Sequence, residues 1–391
     1  MSFTVSLLVT EPQALRAFRK ACLPGADRVE IRLDHAIGGD PEEWRREIQG
    51  IGLPFVAALH GNGGLGSIAG SRAEHLRWLR AAAEWGAEWV DVDWSLAGEI
   101  VDLPEGARRI VSMHLTGERA IGRSHRDAYQ TLLESSLPGD RIKFVVEARD
   151  AARGLEIMAW AKELPSHPAG RLLFCMGERV AFTRWLGLAQ GDSWMYVAPG
   201  SSLDASSMVA APGQITLDRA LVCAPQKSER GPIRLRAVLG HPIDHSLSPE
   251  VQGAAYRAAG LHTYYLSIDG GPGPLGRDLL QAAVACGVEG FAITAPYKAS
   301  ALEIAEETTD AAQRVGAANT LAWRGDHFAA HNSDAMGVSR TLESAWPAHA
   351  RARGLSPSLD GLRALLVGAG GAARAAREAY ANPRRTPKLG G

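Results

Sequence analysis

RRIVSMHL at residues 108–115 and RIKFVVEA at residues 141–148 decide the fold. Each is rich in valine and isoleucine and reads as a strand. Between them runs GERAIGRSHRDAYQTLLESSLPGD, residues 117–140, long enough for a loop and a helix. Strand, helix, strand is a βαβ unit, whose two strands lie parallel and commonly side by side. Neighbouring strands are about 4.8 Å apart, so inward side chains on both reach one small molecule. His114 closes the first strand and Lys143 opens the second. A lysine in a water-poor interior loses part of its preference for the charged form and becomes a nucleophile towards ketones. A histidine beside it moves protons near neutral pH. Imine chemistry is the functional reading. The alternative is a lysine snorkelling from a strand end and a hydrogen-bonded core histidine.

Moving outward, strand-like runs recur at residues 5–10, 28–34, 54–60, 89–94, 109–115, 141–148, 171–177 and 194–198. Amphipathic segments such as EPQALRAFRKAC and SRAEHLRWLRAAAEWG separate several of them. Eight strands alternating with helices predict an α/β fold, a (β/α)8 TIM barrel; a doubly wound open sheet is the alternative. A barrel gathers its polar chemistry at the carboxyl ends of the strands. There VEIRLD alternates Glu30, Arg32 and Asp34 onto one face, and VDVDW does the same with Asp91 and Asp93. His114 ends the fifth strand, MGERVAFTR places Arg184 in a loop or first helical turn, and AAPGQ ends in Gln214. Charges inside a barrel are costly unless paired or used. A purely structural ion network of Arg32, Asp34 and Asp93 is the competing account.

The chain has 391 residues, nearly half of them hydrophobic, and a formal net charge of -1. Two domains are the natural division, and the balanced charge gives no reason to expect a nucleic-acid partner. Cys22, Cys175, Cys223 and Cys286 are scattered, without CxxC pairs or zinc spacing, and read as reduced thiols. MSFTVSLLVTEPQAL lacks the basic and apolar regions of a signal peptide, and no apolar run reaches the length of a membrane span. The expectation is a cytoplasmic protein acting on small molecules, with oligomerisation open.

VEIRLD, SMHLTG, IKFVVEARDA, FCMGERVAFTR and AAPGQ occur in the order, and close to the spacing, of the type I 3-dehydroquinate dehydratases, which residues 1 to about 220 resemble. The resemblance implies an imine between Lys143 and the C3 ketone of 3-dehydroquinate. His114 would remove the C2 proton and assist loss of the C1 hydroxyl as water, with Glu30 steadying the histidine and substrate hydroxyls. The protonated imine is the electron sink, so no metal or organic cofactor is implied. Arg32 and Arg184 would hold polar groups of the substrate, a forked donor suiting a carboxylate. Gln214 would lie on a closing loop. Two positions depart from the pattern: LHGNGGLG puts His60 where the family usually has arginine and Asn62 for a glutamate, and Asp93 stands for another glutamate.

PQKSERGPIRLR, around residues 225–235, reads as a linker. Beyond it come LRAVLG, HPIDHSLSPEVQGAAYRAAG, GFAITAPYK, GAANTL and HNSDAMG. LRALLVGAGGAARAAREAY then follows as a strand, a glycine turn and a helix, the start of a dinucleotide-binding unit. Taken alone, Ser246 and Ser248 are ordinary caps, and Lys298, Asn319 and Asp334 ordinary surface or turn residues. Together these pieces resemble shikimate dehydrogenase, from about residue 233 to about 380. The resemblance implies that Ser246, Ser248, Thr294, Lys298, Asn319 and Asp334 bind shikimate or 3-dehydroshikimate, with Lys298 and Asp334 as the proton-transfer pair. Gly368, Gly370, Gly371 and Ala372 would receive NADP(H). Ala292 stands where that family often has asparagine or serine.

The division expected is a dehydratase barrel at 1–224, a linker at 225–235, a substrate domain at 236–360 and an incomplete Rossmann unit at 361–391. Arg384, Arg385 and Thr386 resemble the stretch that receives the 2′-phosphate only faintly, and one strand with one helix cannot bury two sheet faces. The expectation is a partly exposed C-terminal piece with reductase activity lost or very low. A class I aldolase-type barrel is one alternative; Arg184 with Gln214 argues against it. A non-catalytic protein that binds shikimate-like ligands is the other.

Overall fold

The computed structural model describes residues 2–37, 39–60, 71–120, 122–200, 211–225, 232–359 and 363–381. Asn62, residues 226–231 of the expected linker, and Arg384, Arg385 and Thr386 lie outside them. The chain divides into two compact units, Met1–Ile233 with Pro249–Tyr264, and Arg234–Ser248 with Tyr265–Gly391.

Eight strands build the first unit: β1 (Phe3–Leu8), β2 (Arg28–Arg32), β3 (Phe55–Ala58), β4 (Trp89–Asp93), β5 (Arg108–Leu115), β6 (Arg141–Glu147), β7 (Arg171–Met176) and β8 (Met195–Val197). Each pairs in parallel with the next from β1 to β7, and β8 pairs in parallel with β1. At the remaining seam the Ser193 N–H donates to the Arg171 carbonyl at 3.0 Å. This is a nearly closed (β/α)8 barrel, as the alternation predicts. The first strand sits two residues earlier than the pattern places it, because its ladder partners are Arg28–Arg32 on one side and Met195–Val197 on the other.

The helices that alternate with these strands are α1 (Pro41–Gln49), α2 (Arg72–Glu84), α3 (His125–Glu134), α4 (Ala151–Glu163), α5 (Phe182–Ala189) and α6 (Leu217–Cys223). Ser71 and Glu74 start α2 with a reciprocal capping box, and the Asp150 carboxylate accepts from the Arg153 N–H at the start of α4. EPQALRAFRKAC forms 3-10 turns, Pro12–Phe18 and Lys20–Cys22, rather than an α-helix. Leu15 and Phe18, both fully buried, stand three residues apart, the repeat of that tighter helix.

The amino end of the barrel is floored by indoles and guanidiniums. Arg141 lies over Trp89 at 4.0 Å and over Trp194 at 4.5 Å, while Arg28 covers Trp194 and Arg108 covers Trp89. Trp89 and Trp194 pack on Val56, Ile110, Leu172 and Tyr196. Burial, then Arg108 and Arg28, pull the Arg141 guanidinium down to about 10.

The second sheet has the order β10-β9-β11-β13-β14-β12, from β9 (Arg234–Gly240), β10 (Thr263–Asp269), β11 (Val288–Ile293), β12 (Glu307–Thr308), β13 (Thr320–Trp323) and β14 (Phe328–His331). β9 and β11 are parallel, whereas β13 is antiparallel to both β11 and β14. The remaining helices are α7 (Ser248–Ala258), which from Pro249 on belongs to the first unit, and α8 (Arg277–Ala285), α9 (Lys298–Ile304), α10 (Asp310–Val315), α11 (Asp334–Arg351) and α12 (Gly371–Ala381) of the second. The strand expected before α12 is not formed: residues 363–370 carry no ladder, and Leu365 and Val367 are about nine-tenths exposed. A strand needs edge partners to satisfy its backbone, and among the described residues none pairs with this run. No helix among the described residues is long and apolar enough to cross a membrane.

Candidate active site

At the carboxyl end of the barrel a pocket of about 370 Å3, counting its open mouth, is lined by side chains from five strands, two loops and the first turn of α5. Lys143 lies level with Ser112 in the β5–β6 ladder, and His114 is two residues further along β5, so both face inward. Glu30, Arg32, His60, Arg184, Tyr196 and Gln214 line the same space.

Lys143 is 4% exposed. Its Nζ donates to Asp91 Oδ2 at 2.7 Å, approaches Glu30 Oε1 at 3.4 Å, and stands 4.5 Å over the Tyr196 ring. Burial alone would pull the ammonium down; Asp91, Tyr196 and Glu30 more than reverse this and raise it above the ordinary lysine value. That corrects the expectation that a dry interior loosens this proton: the Asp91 and Glu30 carboxylates hold it on. Asp91 is fully buried. Burial pushes its carboxyl up, but Lys143 and then His60 hold it well below the usual carboxylate range.

His60 Nε2 lies 3.2 Å from the same Asp91 oxygen, and its ring packs against His114 in a tilted contact, centroids 4.6 Å apart and planes at 57°. Burial, then the neighbouring His60 and Lys143, depress His114 well below the ordinary histidine value. It is therefore a neutral imidazole near pH 7, able to accept a proton. The ring packed against His114 is thus His60, while Glu30 is drawn to the lysine.

Arg32 forks onto Asp34 at 2.8 and 3.2 Å and donates to the His60 carbonyl at 2.8 Å. Part of the structural ion pairing considered for this face is therefore real. Asp93 accepts from the Ser95 N–H and hydroxyl, at 3.0 and 2.8 Å, and so caps the turn after its strand. Arg184, in the first turn of α5, is 3% exposed. It lies 4.5 Å over Phe174 and donates to the Gly213 and Pro212 carbonyls at 3.1 and 3.4 Å. Burial pulls this guanidinium down to about 10. Carbonyls supply no countercharge, and among the carboxylates Glu30 is the one that opposes the pull of burial on this guanidinium. Gln214 donates to the Ser6 hydroxyl at 3.1 Å. Its loop is set by Gly213, whose positive φ of 75° and close approach to the Gly177 carbonyl exclude a side chain.

Val145, Phe174, Met176 and Tyr196 also line the pocket, and Ser6 backs it. Residue-type reasoning passes over them, although their alternation along β6, β7 and β8 marks them as inward. Glu30, His60 and Asp91 bring ligand atoms within 4.8 Å of one another. A cation there would compete with the Lys143 ammonium for the same oxygens.

In the second unit, Lys298 Nζ meets Asp334 Oδ2 at 2.6 Å, and Asn319 Nδ2 donates to Asp334 Oδ1 at 2.7 Å. The Asp334 N–H is held by Asn332 Oδ1 at 2.9 Å, which fixes the first turn of α11. Ser246 accepts from the Ser248 N–H at 3.3 Å, and Thr294, just beyond β11, donates its N–H to Leu239 at 3.0 Å. The structure therefore unites Lys298, Asn319 and Asp334; Ser246, Ser248 and Thr294 sit beyond the carboxyl ends of β9 and β11. Gly368 and Gly370 precede α12, and Gly371 with Ala372 opens it. A Cβ on Gly371 would stand 2.9 Å from Lys298 Cδ, so the helix start abuts the lysine stem. Free N–H groups at such a start suit a phosphate, and the residues present fit that end of a dinucleotide.

An eight-stranded parallel barrel with its ionisable side chains gathered at the strands' carboxyl ends defines the class: a TIM-barrel protein of enzyme type. The chain belongs to the type I 3-dehydroquinase family, whose model matches residues 3–222. A second model, the shikimate dehydrogenase substrate binding domain, matches residues 238–321. The NADP(+) shikimate dehydrogenase of Symbiobacterium thermophilum is 35% identical over 150 residues, 38% of this chain and 47% of that protein. That of Anaeromyxobacter sp. strain K is 39% identical over 146 residues, 37% and 48% of the two chains. The chain spans about half the length of the curated relatives it matches. Among solved structures, the dehydroquinate dehydratase and shikimate dehydrogenase from S. pombe AroM aligns with 98% of this chain and 72% of its own, at 23% identity and a TM-score of 0.45.

Proposed function

We propose that the barrel dehydrates 3-dehydroquinate to 3-dehydroshikimate through an imine on Lys143, and that the second unit binds 3-dehydroshikimate and shikimate. The observation that carries the first part is the shared pocket of buried Lys143, neutral His114 and the buried Arg184 guanidinium.

Arg184 receives the substrate carboxylate, exchanging two carbonyl contacts for a charge-assisted fork. That sets the ketone towards Lys143. The amine adds to the carbonyl carbon and water leaves, giving a protonated imine that draws electrons from the adjacent carbon. His114 takes the C2 proton, and the C–H pair forms a C2–C3 double bond while the C=N pair moves onto nitrogen. The nitrogen pair then returns, the C2–C3 pair becomes the C1–C2 double bond, and the C1 hydroxyl leaves as water with the proton from the same imidazole, restoring the protonated imine. Water then releases the product ketone and restores the amine. Glu30 and Arg32 hold hydroxyls around the ring, and Gln214 closes the mouth.

In the second unit, Ser246, Ser248, Thr294 and Asn319 hold ligand hydroxyls and the carboxylate, while Lys298 and Asp334 pass the proton to or from the reacting oxygen. Gly368, Gly370, Gly371 and Ala372 would hold the pyrophosphate of NADP(H), which supplies the hydride when bound. The resemblance between the matched segment and dehydrogenases named for NADP(+) supports this part.

Borohydride added with 3-dehydroquinate should fix the ligand to one lysine-bearing peptide, that of Lys143. An unmodified protein, or a label on another lysine, would overturn the proposal for the barrel.

A further inference from the structure

Four side chains, one from each even-numbered strand of the barrel, meet at the Lys143 nitrogen: Glu30 on β2, Asp91 on β4, Lys143 itself on β6 and Tyr196 on β8. Side chains from alternate strands form the layers that fill such a barrel, and branched aliphatic residues dominate them. Two residues earlier on the same four strands stand Arg28, Trp89, Arg141 and Trp194, the indole and guanidinium floor. Val56, Ile110 and Leu172, from the odd-numbered strands, pack with Trp89, Trp194 and Tyr196. A charged layer thus rests on an apolar one, and its fourth member is a ring. We infer that Tyr196 is a positioning residue of the imine, its ring face holding the positive charge on Nζ once that nitrogen has lost hydrogens that bind the carboxylates; the inference rests on the imine reading above.

The donors can be counted. An ammonium carries three N–H groups, and Lys143 directs them at Asp91, 2.7 Å away, and Glu30, 3.4 Å away. When ammonium and ketone become protonated imine and water, a C–N double bond replaces two of those hydrogens, which leave on the carbonyl oxygen. One N–H remains, enough for one carboxylate. Asp91 is the nearer and is fully buried, so it keeps the bond and Glu30 is released to the substrate hydroxyls. The pull of a π face acts on charge and needs no hydrogen, so the contact of Nζ with the Tyr196 ring, at 4.5 Å, outlasts the change. That ring is 2% exposed, and a dry cation–π contact is the strong kind. A protonated imine draws electrons from the neighbouring carbon, and the ring favours that charged form over the neutral one. The charged and titratable groups around Nζ are Glu30 on β2, His60 after β3, Asp91 on β4, His114 on β5 and Tyr196 on β8, with Arg32 and Arg184 lining the same pocket.

The test is nitrogen NMR of the full chain carrying 15N at lysine Nζ, with 3-dehydroquinate in excess and pH raised stepwise. The imine nitrogen stands apart from the amines, and its shift tells the protonated from the neutral form. The proteins compared are the unaltered one, Tyr196→Phe, Tyr196→Leu, and three in which position 196 holds phenylalanine with one, two or three ring fluorines. Fluorine keeps the shape of the ring and drains its face. Tyr196→Phe should keep its imine protonated over the same pH range as the unaltered protein. Each fluorine should lower the pH at which the proton is lost. The trifluorinated ring and Tyr196→Leu should lower it by about one unit, a tenfold gain in acidity. A trifluorinated ring that holds the proton as well as plain phenylalanine would overturn the inference, because the ring would then only fill space. So would a Tyr196→Phe protein as impaired as Tyr196→Leu, since the hydroxyl would then be the group at work. Either result leaves the imine reading standing. No imine nitrogen in the unaltered protein would bring down that reading, and the role of Tyr196 with it.

Discussion

His114 shows how one residue's surroundings fix its protonation state. Burial opposes the imidazolium, and the positive charge of Lys143 adds to that. An unfolded chain takes up a proton at this histidine near 6.5 that the folded barrel refuses. Protons bound in the unfolded state exceed those in the folded state below that value, so folding stability contributed here is complete above it and is lost as pH falls. The slope is up to about 1.4 kcal/mol per pH unit for one such group. His114→Asn should remove it: urea midpoints of the variant and the unaltered protein should diverge between neutral pH and pH 5, the variant losing less. Equal slopes would mean that His114 is not held neutral.

At the scale of elements, the barrel floor is the test of packing. Trp89 opens β4 at 3% exposure and has both Arg141 and Arg108 packed over its ring. Trp89→Ala removes both stacks and leaves a void against Val56, Ile110 and Trp194. The expected loss is about 3–5 kcal/mol in chemical denaturation, with the lysine-labelling chemistry at the opposite end altered far less. Strand identity was legible because parallel strands buried on both faces read as apolar runs, and all eight were placed from them. The inward alternation of Glu30 and Arg32, and of Lys143 beside His114, followed from the two-residue repeat. Less was legible where partners come from distant strands. The grip of Asp91 on Lys143 joins residues 52 positions apart, and no spacing along the chain records it. The run before α12 misled for the opposite reason: its composition is that of a strand, but a strand exists only beside a partner.

For the whole molecule, each unit carries its own cation–carboxylate centre, Lys143 with Asp91 and Lys298 with Asp334. The proposed reactions are consecutive, since the ketone released by the first is the ligand of the second. Lys143, Asp91 and Glu30 belong to one unit and Lys298, Asp334 and Asn319 to the other, so changes at the two centres should combine additively. Lys143→Met should abolish borohydride labelling and cost about 3 kcal/mol in the barrel's stability, because Asp91 is left buried and uncompensated. Shikimate affinity, read by calorimetry, should stay within about twofold. Lys298→Met should do the reverse. It removes one charge-assisted hydrogen bond from a half-buried site, which corresponds to a loss of affinity of about tenfold, while Lys143 labels at its usual rate. A double variant should show the two losses side by side. If either single change instead lowers both signals, the two centres are energetically coupled, and the picture of two separately built sites on one chain fails.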